Sequence, residues 1–188
     1  MTTPAIILSI LFILCLTSSV VPRSVGLVRA DDKPAQKVWI PVSFGLSQGI
    51  MALWGSGLGR LMSHLFTYIA EYMVFAMMLV VAVKLFVDSI RILKGKMMYT
   101  INSDRDIMLL TLLAAINTFL YGLVSVFFMP FDIWFFVAVT VAGFLWAFFT
   151  VRIEFTPGII KKVSFVEFAA AVFMLVIAIL YLFTDLMK

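Results

Sequence analysis

The chain has 188 residues, of which 64% are hydrophobic and only 13% are charged. About a quarter of the residues in a soluble domain are charged, so this chain has too few charges to cover an ordinary solvated surface. Its composition therefore predicts an integral membrane protein. The formal net charge is +4, but the basic residues fall in short segments between apolar runs, a pattern typical of membrane topology that does not predict nucleic-acid binding.

Six apolar runs are long enough to cross a bilayer as helices, which takes about 20 residues each. They predict a single all-α membrane domain over 1–188, with spans at 4–22, 38–62, 66–92, 107–129, 131–151 and 163–187. The first run has neither the positively charged start nor the small-residue cleavage site of a secretory signal, so we expect it to remain as a span.

The basic residues divide unevenly between the two sides of such a domain. Lysine and arginine accumulate in cytoplasmic connections, and here they gather after the first, third and fifth runs: Arg23, Arg29, Lys33, Lys37, Arg91, Lys94, Lys96, Arg105, Arg152, Lys161 and Lys162. This bias predicts that the three basic connections are cytoplasmic and that both termini lie on the outer side of the membrane. Tight hairpins at Ser63-His64 and Met129-Pro130 are then expected on that side.

The polar connection 93–106 separates two sets of three spans, 4–92 and 107–188. Because three crossings turn the chain over, the second set runs through the membrane in the opposite sense to the first. The sequence thus predicts two inverted three-helix repeats. This plan is common among secondary transporters, whose substrates bind near the midplane between the repeats.

One face of the second run has almost no large side chains. At about 100° per residue, an arc of about 120° holds Gly45, Gln48, Gly49, Ala52, Gly55, Ser56 and Gly59. Small residues at this spacing let a second helix backbone approach closely, so we expect a central packing helix. Gln48 then points into the bundle, where its amide either bonds to another helix or lines a pathway.

The fourth run has a similar face with more polar residues. An arc of about 140° holds Thr111, Ala114, Asn117, Thr118, Tyr121, Gly122 and Ser125. Polar side chains in membrane helices are expected to face the bundle interior or a cavity, and Asn117 lies near mid-span. The hydroxyl of Thr17 in the first run either joins such a site or bonds to its own helix.

Few charges lie inside the runs. Lys84, Asp88 and Arg91 share one face of the third run and predict either a structural ion pair or part of a gate. Glu71, near the outer end of the same run, either reaches the headgroup water or meets a cation entering from outside.

Short motifs in these runs resemble the MntP-type manganese efflux family, a six-helix group similar in plan to LysE-type exporters. The matching segments are Phe44-Gly45-Leu46-Ser47-Gln48 followed by Gly55-Ser56-Gly57-Leu58-Gly59, then Lys84 with Asp88 and Arg91, and Ala115-Ile116-Asn117-Thr118 followed by Gly122. The resemblance implies a membrane transporter for a small cation. It also implies that the family's three intramembrane acids fall here on neutral residues: Thr17, Gln48 and Asn117.

Loss of these acids matters because Mn²⁺ favours carboxylate, carbonyl and water ligands. The first hypothesis is a divergent cation transporter that uses the three neutral residues and Thr118, with Asp88 or Glu71 as the remaining acids. A second is a non-transporting scaffold or a subunit that binds partner proteins in the membrane. A third is an exporter of neutral solutes. No nucleophile–base pair, nucleotide-binding loop or metal-ligand cluster is visible, so the sequence predicts neither an enzyme nor a cofactor.

Overall fold

A computed structural model describes residues 3–25, 27, 34–66, 69–96, 104–126, 133–154 and 156–186. Within these ranges all regular secondary structure is helical, and there is no strand. The helices are α1 (Thr3–Thr17), α2 (Val21–Ser24), α3 (Pro34–Phe66), α4 (Ala70–Leu93), α5 (Asp104–Ser125), α6 (Ile133–Thr150) and α7 (Pro157–Leu186). A short 3₁₀ turn, Ser18–Val20, connects α1 to α2.

Five of these helices, α3 to α7, are long and apolar enough to cross a membrane. The stretch Ile10–Ser24 is also apolar but shorter. Large apolar side chains point outward from the bundle, among them Trp54 at 68% exposure and Phe149 at 64%, as expected of a surface that faces lipid tails. The protein is therefore a helical multi-pass membrane protein, and the predicted all-α class is confirmed for the part of the chain that the structure describes.

The first apolar run is interrupted after α1, and its sequence explains the break. In a continuous α-helix the carbonyl of Ser18 would accept a hydrogen bond from the nitrogen of Pro22, which carries no hydrogen. It accepts instead from the N–H of Val21, three residues on, and this tighter bond defines the 3₁₀ turn. The carbonyl of Ser19 accepts a bond of 2.8 Å from the guanidinium of Arg23. At the break, a backbone carbonyl oxygen thus bonds to the charged side chain of Arg23.

The connection between α3 and α4 lies further along the chain than predicted. Ser63 and His64 belong to α3, which ends at Phe66, so the expected hairpin at these two residues is wrong. The run stays helical because apolar residues continue beyond them and because the Ser63 hydroxyl bonds to the Arg60 carbonyl of its own helix at 2.7 Å. Met129-Pro130 and the side chains of His64 and Glu71 lie outside the described residues.

A glycine ends α4. The N–H of Lys96 donates to the carbonyl of Arg91 at 3.0 Å, and the N–H of Gly95 donates to that of Ile92 at 2.9 Å. Gly95 has a φ of +67°, a left-handed conformation that glycine adopts without a Cβ penalty. The helix therefore stops where the sequence supplies this residue.

The small face of α3 is buried against two helices. We call it the glycine face: Gly45, Gly49, Gly55 and Gly59. A Cβ added at the last two would overlap the backbone carbonyl oxygens of Phe119 and Leu123 in α5, and one added at the first two would overlap Thr140 in α6. The close approach is mutual, because a Cβ on Gly122 of α5 would overlap the carbonyl of Ala52. In the structure α3 thus packs closely against both α5 and α6.

The registers of these contacts fix the directions of the helices. Gly55 and Gly59 meet Phe119 and Leu123 in the same order, so α3 and α5 are parallel. Gly45 meets Phe144, and Gly49 lies near Phe136, so α3 and α6 are antiparallel. Similarly, the ring of Phe86 lies 5.8 Å from that of Phe168, and Ser89 bonds to Ser164, which makes α4 and α7 antiparallel. Therefore α3 and α5 run in one direction, α6 runs opposite to them, and α4 and α7 run opposite to each other.

The largest apolar core lies where α1, α4, α5 and α7 meet. Its fully or almost fully buried members include Leu16, Val74, Val81, Leu85, Tyr121, Val124 and Met174. A second cluster joins Val20 and Phe44 to α5 and α6. Polar side chains are buried between these two apolar regions, and they form the candidate site.

Candidate functional site

Seven polar or charged side chains from five helices form a connected group, which we call the buried polar cluster: Arg23, Gln48, Lys84, Asp88, Asn117, Thr118 and Glu167. All are buried except Lys84, which is partly exposed. Six of them are joined by hydrogen bonds, ion pairs or adjacent backbone positions. Glu167 forms none of these contacts with the other six and lies within electrostatic range of Arg23, Lys84 and Asp88. Burying so many polar groups in an apolar bundle costs free energy unless they pair with one another or bind a ligand.

Asp88 of α4 is the anionic centre of this cluster. Its Oδ2 lies 3.0 Å from Nη2 of Arg23 and 3.6 Å from Nζ of Lys84. The pair with Lys84 is the one that the four-residue spacing predicts. Arg91, the third residue of the predicted face, is exposed and does not join them.

Arg23 differs from the expectation that it is a cytoplasmic loop cation. It lies in α2, where its side chain is only 5% exposed, and it reaches both Asp88 and the Ser19 carbonyl. The chain stays helical through Pro22, so Arg23 belongs to a helix and reaches Asp88 of α4. A count of charges cannot reveal this position, although a basic residue directly after Pro22 at the end of an apolar run is a usable signal.

Lys84 connects the ion pair to α5. Its ammonium donates to Oδ1 of Asn117 at 2.8 Å. Because an ammonium can only donate, it fixes the amide orientation of Asn117 and leaves the Nδ2 group without a hydrogen-bond partner in the buried interior. Asn117, which the sequence predicts as a cation ligand, thus already accepts a hydrogen bond from a cationic side chain.

Gln48 lies in the middle of the α3 face with no exposed surface. Its side chain fits against Gly143 of α6, where a Cβ would lie 2.7 Å from the Gln48 Cγ. Oε1 accepts from the Thr118 hydroxyl at 3.0 Å, and Nε2 has no partner. The Thr118 hydroxyl also lies 2.7 Å from the carbonyl of Ala115.

This arrangement lets Gln48 present either end of its amide. The hydroxyl of Thr118 has one proton, which it can donate to Ala115 instead. A half-turn of the Gln48 amide then places Nε2 on the Thr118 oxygen and turns Oε1 toward the position where Nε2 was unpaired. A carbonyl oxygen in that position is a suitable ligand for a hard cation.

Thr17 is also fully buried, but its hydroxyl bonds within its own helix, at 2.8 Å from the carbonyl of Ile13. It directly precedes the 3₁₀ turn, in which Ser18 has a buried hydroxyl without a partner. The structure connects Gln48 and Asn117 through consecutive residues of α5. That Thr17 joins them in one site stays a prediction, as does any role of Glu71, whose side chain lies outside the described residues.

Glu167 of α7 is the residue that the sequence interpretation missed. It has no exposed surface, and neither carboxylate oxygen has a hydrogen-bond partner. The charges of Arg23, Lys84 and Asp88 act on it across the cluster. A carboxylate in the middle of an apolar run is a functional signal in a membrane protein, and this signal was present in the last predicted span.

Across the described residues, no three His, Cys, Asp or Glu side chains come together as a metal-binding group. The family model Mntp, described as "Putative manganese efflux pump", matches residues 32–156. The chain belongs to the MntP family. The resemblance found in the sequence is thus confirmed, and the members of this family are transporters rather than enzymes.

The match to the MntP family begins just before α3 and extends through α6. It therefore includes the glycine face and all of the cluster except Arg23 and Glu167. No curated protein and no solved structure matches the chain. Membership of the MntP family makes the protein a membrane transport protein associated with manganese, and its own chemistry has to be argued from its own residues.

Proposed function

We propose that the protein is a divergent MntP-type exporter of Mn²⁺ or a similar divalent cation, whose path passes through the buried polar cluster. The observation that carries this proposal is the pair of fully buried amides, Gln48 on α3 and Asn117 on α5. Within the part of the chain that the structure describes, each has an N–H group without a partner. Leaving a buried donor without a hydrogen bond costs about 1–3 kcal/mol in stability. We therefore infer that these amides have a role in binding as well as in packing.

The cation would meet amide and hydroxyl oxygens where other family members supply acids. Such ligands neutralise no charge, so a dication is bound less tightly here than in a cage of carboxylates. The cluster has two cationic and two acidic side chains, Arg23 and Lys84 against Asp88 and Glu167. Entry of a dication therefore requires Lys84 to leave Asn117, which frees Oδ1 as a ligand.

We also propose that the chain crosses the membrane six times as two inverted halves, 4–92 and 107–188, joined by the connection 93–106. The principal helix contacts support this plan because each joins an element of the first half to one of the second. If α1, α3 and α4 correspond to α5, α6 and α7, every such contact maps onto another contact or onto itself.

The crossing of α4 and α7 gives independent support. The Ser89 hydroxyl reaches the Ser164 carbonyl at 3.0 Å, and the Ser164 hydroxyl reaches the Ser89 carbonyl at 3.0 Å. Two antiparallel helices that exchange identical bonds are what a two-fold axis in the membrane plane would produce at this point. Such an axis relates inverted repeats.

The distribution of basic residues supports an inner-membrane location with both termini outside. Removing the buried Arg23 from the predicted connections leaves ten lysines and arginines on the same side. The positive-inside rule then places the α4–α5 connection in the cytoplasm. A cysteine introduced at Ala35 or Ser103 should react with membrane-impermeant reagents only from the cytoplasmic side, and labelling of both from outside intact cells would reverse the orientation.

One observation favours the alternative of a non-transporting scaffold. The Lys84 ammonium donates to the Asn117 oxygen that a transported cation would need, and a Lys84 that never leaves Asn117 would join the two halves without transport. On this alternative the cluster is structural, and the protein acts through partner proteins in the membrane.

Manganese accumulation in cells that lack their own manganese exporter tests the proposal. We expect the native protein to lower cellular Mn²⁺ and Asn117→Leu to lose this effect. Ser125→Ala is the matched control, because this hydroxyl lies on the same helix and bonds only to the Gly122 carbonyl at 2.7 Å. Equal manganese levels with and without well-expressed native protein would favour the scaffold.

A further inference from the structure

The one carboxylate of the cluster that no side chain neutralises directly is Glu167. Arg23 and Lys84 both direct their charged ends to Asp88. Among the described residues, neither forms an ion pair or hydrogen bond with Glu167, whose two oxygens are buried and unpartnered. A carboxylate in this state lacks the donors that stabilise its ionised form.

Four ionisable groups on three neighbouring elements lie within electrostatic range of Glu167. They are Cys15 on α1, Arg23 on α2, and Lys84 and Asp88 on α4. The two cations attract the ionised carboxylate and Asp88 repels it, whereas burial opposes any unpaired charge. Glu167 is therefore poised between a charged form held by distant cations and a neutral form that carries a proton.

We propose that Glu167 is a proton-binding site and that the proton it carries is the counter-ion for cation export. The proposal rests on the proposed function, because a counter-ion needs a transported cation. In each cycle an O–H bond forms on Glu167 with a proton from water on the outer side. The bond breaks when the proton leaves to water on the cytoplasmic side.

The charge of the cluster explains why proton and metal would exclude each other. With Glu167 ionised the four charged side chains balance, and with Glu167 protonated they leave one net positive charge. That charge repels an entering dication strongly in a medium of low dielectric constant. Binding of Mn²⁺ therefore favours release of the proton, and protonation favours release of Mn²⁺, which is the linkage that exchange requires.

The structure favours a proton rather than a metal ion as the ligand of Glu167. A divalent cation takes six or more oxygen ligands at about 2.0–2.6 Å. Within the described parts of the chain no third acid or histidine joins Glu167 and Asp88. A proton needs only one carboxylate oxygen.

The infrared spectrum of the purified protein tests the proton site without any transport. In the native protein we expect a pH-dependent carbonyl band from a buried carboxylic acid without hydrogen bonds, distinct from the bands of the hydrated acids elsewhere in the chain. It should do the same in Glu154→Gln, which changes an exposed glutamate, and be lost in Glu167→Gln. If Glu167→Gln gives aggregated protein, Glu167→Met provides the same comparison. Retention of the band in a folded variant would overturn the proposal.

Inverted membrane vesicles with an acidic interior test the coupling. We expect native protein and Glu154→Gln to accumulate Mn²⁺ against its gradient, and Glu167→Gln to move Mn²⁺ only down its gradient. Gradient-driven accumulation by Glu167→Gln at the native rate would overturn the counter-ion role while leaving manganese export intact. A titrating carboxylic acid without Mn²⁺ movement by any of the three proteins would instead overturn the proposed function.

Discussion

The glycine face of α3 and the buried polar cluster meet at Gln48, yet they are built on different physical grounds. The glycine face depends on side chains that are absent, so its partners approach as bare backbone. The cluster depends on charged side chains from α2, α4 and α7 together with neutral polar side chains from α3 and α5, and the energy of each charge depends on the others. The packing surface of the glycine face can be predicted from the spacing of small residues on one helix. The charge interactions of the cluster cannot be predicted in this way, because they join several helices.

The largest effect is expected from filling the glycine face. Gly55→Leu places a Cβ against the Phe119 carbonyl, which belongs to a helix backbone and cannot move aside as a side chain would. We expect a loss greater than the about 1–3 kcal/mol typical of overpacking, and therefore little folded protein. Gly57→Leu on the same helix is the control, because nothing lies within 4 Å of its added Cβ. Equal yields and melting temperatures would mean that the glycine face is not packed.

The next largest effect should come from the anionic centre of the cluster. Asp88→Asn leaves the buried Arg23 and the partly exposed Lys84 without their shared anion. Breaking a buried ion pair such as that of Arg23 with Asp88 costs about 3–5 kcal/mol. Thermal unfolding in detergent measures the loss, with Glu154→Gln as the exposed control. A change within error of that control would show that Asp88 does not hold the two cations.

This contrast also explains what the sequence could predict. The helices, the buried side of α3 and the pair of Lys84 with Asp88 follow from local spacing, because every residue involved lies on one helix. The predicted α3–α4 hairpin fails because helical periodicity and apolar character continue through Ser63 and His64. Local polarity is weaker than the preference of the backbone for helical hydrogen bonds in a membrane.

The cluster could be predicted only in part. Gln48 and Asn117 were found because an amide in an apolar face is conspicuous. Lys84 and Asn117 are 33 residues apart in the sequence, and Arg23 and Asp88 are 65 residues apart. Neither can be inferred without the packing of the helices. Glu167 is predictable from its residue type alone, because a carboxylate within an apolar run of a membrane protein indicates a functional site.

A smaller effect is expected for the bond that joins α4 to α5. Lys84→Met and Asn117→Leu, made separately and together, form a double-mutant cycle. A hydrogen bond to a charged group contributes about 1.5–3 kcal/mol, so the two changes should be less than additive by roughly that amount. Strict additivity in the unfolding free energies would indicate that the two side chains do not interact.

The smallest effect should come from the crossing of α4 and α7. Ser89→Ala removes one half of the exchange with Ser164, and a neutral hydrogen bond contributes about 0.5–1.5 kcal/mol. Ser164→Ala should cost about the same, since the two bonds are equivalent. A large difference between these two variants would argue against a two-fold axis at this crossing.

The central claim is that the buried polar cluster is an altered cation site. The variant Thr17→Asp/Gln48→Glu/Asn117→Asp restores acids where the family resemblance places them, with little change in volume. Without metal, its buried like charges should lower the melting temperature below that of the native protein. With metal, the acids gain the cation that they lack.

The most direct measurement is the melting temperature of this purified triple variant as Mn²⁺ is added. The account predicts that Mn²⁺ stabilises the variant by about 2.7 kcal/mol at a concentration of 100 times its Kd, with a much smaller effect on the native chain. Ser43→Asp/Ser125→Asp, which adds acids to α3 and α5 outside the cluster, should show no such gain. A triple variant that folds but gains no stability from Mn²⁺ would contradict the account.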